Sequence, residues 1–95
     1  MHEFFKALSS PQRIKLLRYL LDLEEPICYC ELEGVIERDR SVIYRHLKKL
    51  ESVGLLETRR AGKRVECEVR EKAKVETLLE LTNQLRYQEV NSNES

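Results

Sequence analysis

"SVIYRHLKKLESVG", residues 41–54, is the stretch on which the reading of the chain turns. Val42 or Ile43, Leu47, Leu50 and Val53 recur at three- and four-residue intervals, which places apolar side chains along one face of a helix. Arg45, Lys48 and Lys49 fall on the other face. Asp39 or Ser41 suits the N-cap, and Gly54 stands where a glycine commonly follows the last helical turn. The segment is an amphipathic helix with a cationic outer side.

Working outward, "CYCELEGVIE" (28–37) predicts a preceding helix with Leu32, Val35 and Ile36 turned inward, and "RDRS" separates the two. Residues 28–53 therefore read as helix, tight turn, helix. Further upstream, "SSPQRIKLLRYLLDL" (9–23) opens with a capping serine and a proline suited to the first helical position. Ile14, Leu17, Leu20 and Leu21 form its buried stripe, and Pro26 ends it. "HEFFKAL" (2–8) is a short amphipathic lead-in.

Downstream the period changes from 3.6 to 2. Val65, Cys67 and Val69 alternate with Glu66 and Glu68, the pattern of a half-buried strand. "LLETRR" (55–60) is its expected partner, with the hairpin turn around Gly62. Helical spacing returns through Val75, Leu78, Leu79, Thr82 and Leu85, and residues 89–95 read as a polar, frayed tail after a single domain over 1–88.

The net charge of zero conceals a strong asymmetry. Residues 38–64 hold nine Lys and Arg against three Asp and Glu, a net of +6, while the segments on either side carry −3 each. A basic middle of this kind is an electrostatic footprint for a polyanion. The element order and this charge together predict a mainly α fold with a small β-hairpin wing, a winged helix-turn-helix. In that architecture the second helix of the pair enters the major groove of duplex DNA while flanking cations hold phosphates. Arg40, Ser41, Val42, Tyr44, Arg45 and His46 are the candidate base-reading residues. Lys48 and Lys49 are expected on the backbone, and Arg59, Arg60, Lys63 and Arg64 of the hairpin along phosphates or in the adjacent minor groove.

The same residues carry a resemblance. "RHLKKL", "GLLETRRAGK", "VECEV" and the opening "ALSSPQRIKLLRYL" resemble the ArsR/SmtB family of metal-responsive bacterial and archaeal repressors, over residues 4 to about 82. The resemblance implies a homodimer through the first and last helices. Phe4, Phe5, Leu78, Leu79, Leu81 and Leu85 agree, offering more apolar surface than one small core uses. It also implies a palindromic operator and a repressor.

"CYCEL" (28–32) falls where the family has "CVCDL", whose two thiolates bind soft metals or arsenite and lower DNA affinity. Residues i and i+2 of a regular helix point about 200° apart, but at a frayed first turn just after Pro26 their sulfurs can converge. Soft sulfur selects thiophilic ions such as arsenite, Cd(II), Zn(II) or Cu(I). Three readings of Cys28 and Cys30 stay open: a metal or metalloid site, a thiol redox switch, and small buried residues at the start of a helix. Glu33 stands where the arsenic-sensing pattern has its third cysteine, and residues 71–88 hold no histidine for the family's zinc site. Cys67 is expected in the core.

No Gly-rich phosphate loop, nucleophile elbow or histidine–acid constellation suggests an enzyme. No apolar run approaches the ~18 residues of a membrane span. With no secretory signal recognised and an odd number of cysteines, the expectation is a cytoplasmic protein with no membrane partner. The alternatives are a winged helix without a metal effector and a winged helix that docks on protein.

Overall fold

The computed structural model describes the backbone of residues 2–94 and the side chains of residues 2–83. Five helices and three strands follow in the order α1 (His2–Ala7), α2 (Pro11–Leu21), β1 (Ile27–Cys28), a 3₁₀ turn (Tyr29–Leu32), α3 (Glu33–Ile36), α4 (Arg40–Ser52), β2 (Leu56–Ala61), β3 (Arg64–Val69) and α5 (Lys72–Glu94). The starts of the two longer early helices are chemically explicit. Ser10 accepts from the Arg13 N–H at 3.3 Å with Pro11 at the first helical position, and Asp39 accepts from the Val42 N–H at 3.1 Å. The Ser41 hydroxyl also donates to Asp39, at 2.7 Å. That bond, then the Val42 N–H, holds the Asp39 carboxyl below its ordinary value.

Ile14, Leu16, Leu17 and Leu20 of α2 pack with Leu32, Ile36, Ile43, Leu47 and Leu50, and with Leu56, Cys67, Val69, Val75 and Leu79. Leu16, absent from the stripe read off the sequence, is fully buried, whereas Leu21 is only partly so. The core thus sits where α2, α4, the sheet and α5 meet, leaving the outer side of α4 free.

Three features differ from the sequence reading. The stretch 28–37 is not one helix: Ile27 and Cys28 pair with Cys67 and Glu66 of β3, Tyr29–Leu32 form a 3₁₀ turn, and α3 is a single turn. The reason is a long-range one, because β3 offers its free edge to Ile27 and Cys28 just after Pro26. Glu37, at φ 51° in the left-handed region, then closes α3. The wing is accordingly three-stranded, in the order β1-β3-β2. Lastly, α5 continues to Glu94, beyond the expected start of the tail. The side chains of Leu85 and of residues 89–95 lie outside the described set.

The β2–β3 hairpin has the register Leu56↔Val69 through Ala61↔Arg64. Gly62 takes φ 66° at the first of its two turn positions, a geometry glycine adopts without a side-chain clash.

Candidate nucleic-acid interface

α4 buries Ile43, Leu47 and Leu50, which leaves the opposite side of the helix facing outward. Tyr44, Arg45, Lys48, Lys49 and Ser52 line one shallow, open depression on this outer side. The Tyr44 ring is fixed from two directions. Tyr29 of the 3₁₀ turn meets it edge-to-face with centroids 5.5 Å apart, and Lys48 Nζ lies 5.5 Å from its centroid.

The helix is locked to the wing by a clamp that the sequence did not reveal. Glu51 accepts from the Thr58 N–H (2.8 Å) and hydroxyl (2.9 Å) and from Lys48 Nζ (2.9 Å), tying α4 to β2. Burial pushes the Glu51 carboxyl up, but the bonds from Lys48 and Thr58 outweigh it and leave the group below its ordinary value. Lys48 in turn is held above its own, chiefly by Glu51. The local sequence gives no signal for this clamp, because Thr58 reaches Glu51 only after the chain has turned back at Gly54.

The expected DNA contacts divide into three sets. Arg45, Lys49, Arg60 and Lys63 have no carboxylate partner among the described residues. A second set is engaged: Arg40 binds Glu33, Lys48 binds Glu51, Arg59 faces Glu66 across the hairpin at 3.9 Å, and Arg64 meets Glu31 at 3.4 Å. Ser41 and Val42 serve the N-cap, through the hydroxyl of one and the N–H of the other.

His46 forms the third set and departs from expectation. Its ring is turned against α2, with Nδ1 3.1 Å from Arg13 Nη1 and Nε2 3.1 Å from Gln12 Oε1. A guanidinium can only donate, so Nδ1 is the acceptor toward Arg13. The Gln12 amide bridges the ring to Arg38: in its other orientation the Gln12 oxygen accepts from Arg38 Nε and Nη2 at 2.9 Å and its NH2 faces His46 Nε2 at 3.1 Å. Burial first, then Arg13, Arg45 and Arg38, push the His46 pKa down. Its role is to join α4 to the start of α2. Arg13 extends that joint by donating to the Ala7 carbonyl at 2.7 Å.

Cys28 is buried and Cys30 half-buried, with Cα atoms 5.2 Å apart and their sulfurs paired as a disulfide. As a metal centre the set stops at two donors: no group of three or more His, Cys, Asp and Glu suited to an ion occurs among the described residues. A three- or four-coordinate ion does not fit these residues of one chain alone. Cys67 is 1% exposed and donates to the Ile27 carbonyl; burial, and then Glu66, push its thiol up to about 12. It is an inert core thiol, as its alternation with Glu66 and Glu68 indicated.

A helix-turn-helix with a cationic outer face, clamped to a basic three-stranded wing, defines a winged helix-turn-helix protein. The model of the bacterial regulatory proteins of the arsR family matches residues 10–58, and the chain belongs to that family. It is similar to the cadmium resistance transcriptional regulatory protein CadC homolog of Staphylococcus aureus, 38% identical over 61 residues, 64% of this chain and 50% of that protein. The transcriptional repressor SmtB homolog of Synechocystis is 35% identical over 65 residues, 68% of this chain and 48% of that protein. The chain therefore spans about half the length of the curated relatives it matches. Among solved structures, a homodimeric winged helix-turn-helix domain from Mycobacterium bovis superposes with a TM-score of 0.72, covering 90% of this chain and 76% of that one at 22% identity.

Proposed function

We propose that the chain is a dimeric, sequence-specific DNA-binding transcriptional regulator, acting as a repressor in the cytoplasm. The observation that carries this is the outer face of α4 and the wing, where Arg45, Lys49, Arg60 and Lys63 stand without carboxylate partners among the described residues. Cations left unpaired on a helix-turn-helix are suited to phosphates and guanine edges. Phe5 and Leu81, 60% and 53% exposed on α1 and α5, support a homodimer through those helices. Two-fold symmetry then sets half-sites about 34 Å apart, one turn of DNA.

The test is fluorescence anisotropy on duplex DNA across a salt series. The logarithm of affinity should fall linearly with the logarithm of salt, with a slope of about −0.9 per phosphate contacted. A salt-independent interaction would refute the DNA reading.

The names of the relatives favour a thiophilic ion as effector. The sulfur pairing favours a second reading, a thiol–disulfide switch at Cys28 and Cys30. In that step two thiols form one S–S bond and give up two protons and two electrons to a disulfide oxidant. Titrating reduced protein with arsenite, Cd(II), Zn(II) and Cu(I), and following sulfur-to-metal absorption, separates the two. A saturable band lost in Cys28→Ser/Cys30→Ser supports the ion. No band, with DNA affinity that changes on thiol oxidation, supports the switch.

A further inference from the structure

Two carboxylates that follow the cysteine pair, Glu31 on the 3₁₀ turn and Glu33 at the start of α3, occupy two arginines of the interface. Glu31 Oε2 lies 3.4 Å from Arg64 Nη2 at the base of the hairpin turn, and Glu33 accepts from Arg40 Nε at the first position of α4. These contacts cross between elements, because the strand–3₁₀ path of residues 27–32 carries Glu31 to the wing and Glu33 to the start of the recognition helix. We infer that Glu31 and Glu33 form an electrostatic brake on DNA binding, competing with phosphates for Arg64 and Arg40. The inference rests on the DNA-binding reading and deepens it.

Both pairs are open to water, with the side chains of Glu31 and Glu33 55% and 46% exposed. Exposed pairs are weak, so a phosphate can displace them. Duplex DNA presents one charge per ~1.7 Å, and the displaced carboxylates then remain near phosphates, within the ~8–10 Å over which like charges repel at physiological salt. Both effects subtract from affinity. Arg45, Lys49, Arg60 and Lys63 escape the brake, so it trims binding without abolishing it.

The test uses the full chain and a mixed-sequence duplex of about 25 base pairs, long enough for two half-sites, so that no operator need be known. Glu31→Gln/Glu33→Gln should bind about three- to tenfold tighter than wild type at low salt, the range two exposed ion pairs allow. The same substitutions in an Arg40→Ala/Arg64→Ala background should gain less than about twofold. An equal gain in both backgrounds would reduce the effect to bulk charge and overturn the brake. Unchanged or weaker binding on the wild-type background would overturn it too, weaker binding making the carboxylates positioning groups for the arginines. If the wild-type chain bound no DNA at all, the DNA reading itself would fall, a result distinguishable from either.

Discussion

α4 and α5 are built on the same inner plan and differ outside. Each buries a stripe at helical spacing, Ile43, Leu47 and Leu50 in one and Val75 and Leu79 in the other. The outside of α4 is cationic and rimmed by Tyr44, whereas α5 keeps Leu81 more than half exposed, with Phe5 equally open on α1. An inner stripe only says that a helix packs on a core. The outer face says what the helix is for, and here the two point to a polyanion and to a second apolar surface.

Breaking the shared inner plan should have the largest effect. Leu47→Ala removes a fully buried side chain and should cost about 2–5 kcal/mol in urea unfolding, with DNA binding lost together with the fold. The next variant attacks only α5 and α1. Phe5→Glu/Leu81→Glu should raise the dimer dissociation constant about a hundredfold, ~3 kcal/mol, in sedimentation equilibrium while leaving the monomer folded. Arg45→Ala attacks only the outside of α4 and should weaken operator binding by about 1–3 kcal/mol without changing the dimer. An equal loss on random DNA would reassign Arg45 from a base to a phosphate. If Arg45→Ala also weakened the dimer, or if Phe5→Glu/Leu81→Glu weakened DNA binding at protein concentrations high enough to restore its dimer, the division of labour between the two helices would be wrong.

The smallest effect sharpens the comparison on the third side of α4. The His46 pKa is lowered in the fold, so below the ordinary value of 6.5 the unfolded chain takes up a proton that the folded chain resists. Stability should therefore fall as pH drops through that value and level off below the folded pKa. His46→Asn should flatten this part of the profile in urea unfolding against pH. Glu51 and Asp39 act lower on the scale. Their depressed pKa values give stability that is present above their ordinary values of 4.5 and 3.8 and is lost as pH falls through the folded ones.

Much of this was legible in the residues because it is local. Ser10 and Asp39 mark helix starts through bonds to their own neighbours and Pro11 through its fixed φ, and the alternation of Val65, Cys67 and Val69 follows from the two-residue period of a strand. The turn from 27 to 37 was not legible. Its strand exists only because β3 passes alongside, and no propensity within "PICYCELEG" reports an edge forty residues away. The contacts of His46 were hidden for a similar reason. Its spacing put it near the outer face, and only the tertiary fold brings Arg13 and Gln12 of α2 against its ring.

By itself the sequence determined the winged helix-turn-helix order, the core stripe and the concentration of +6 charge in residues 38–64, since each depends on spacing or composition along one stretch. Tertiary structure alone decided which cations stand free. Glu66, Glu31 and Glu33 reach Arg59, Arg64 and Arg40 across turns and strands, whereas Glu51 meets Lys48 within one helical turn; a carboxylate neutralises whatever it meets in space, whatever its place along the chain.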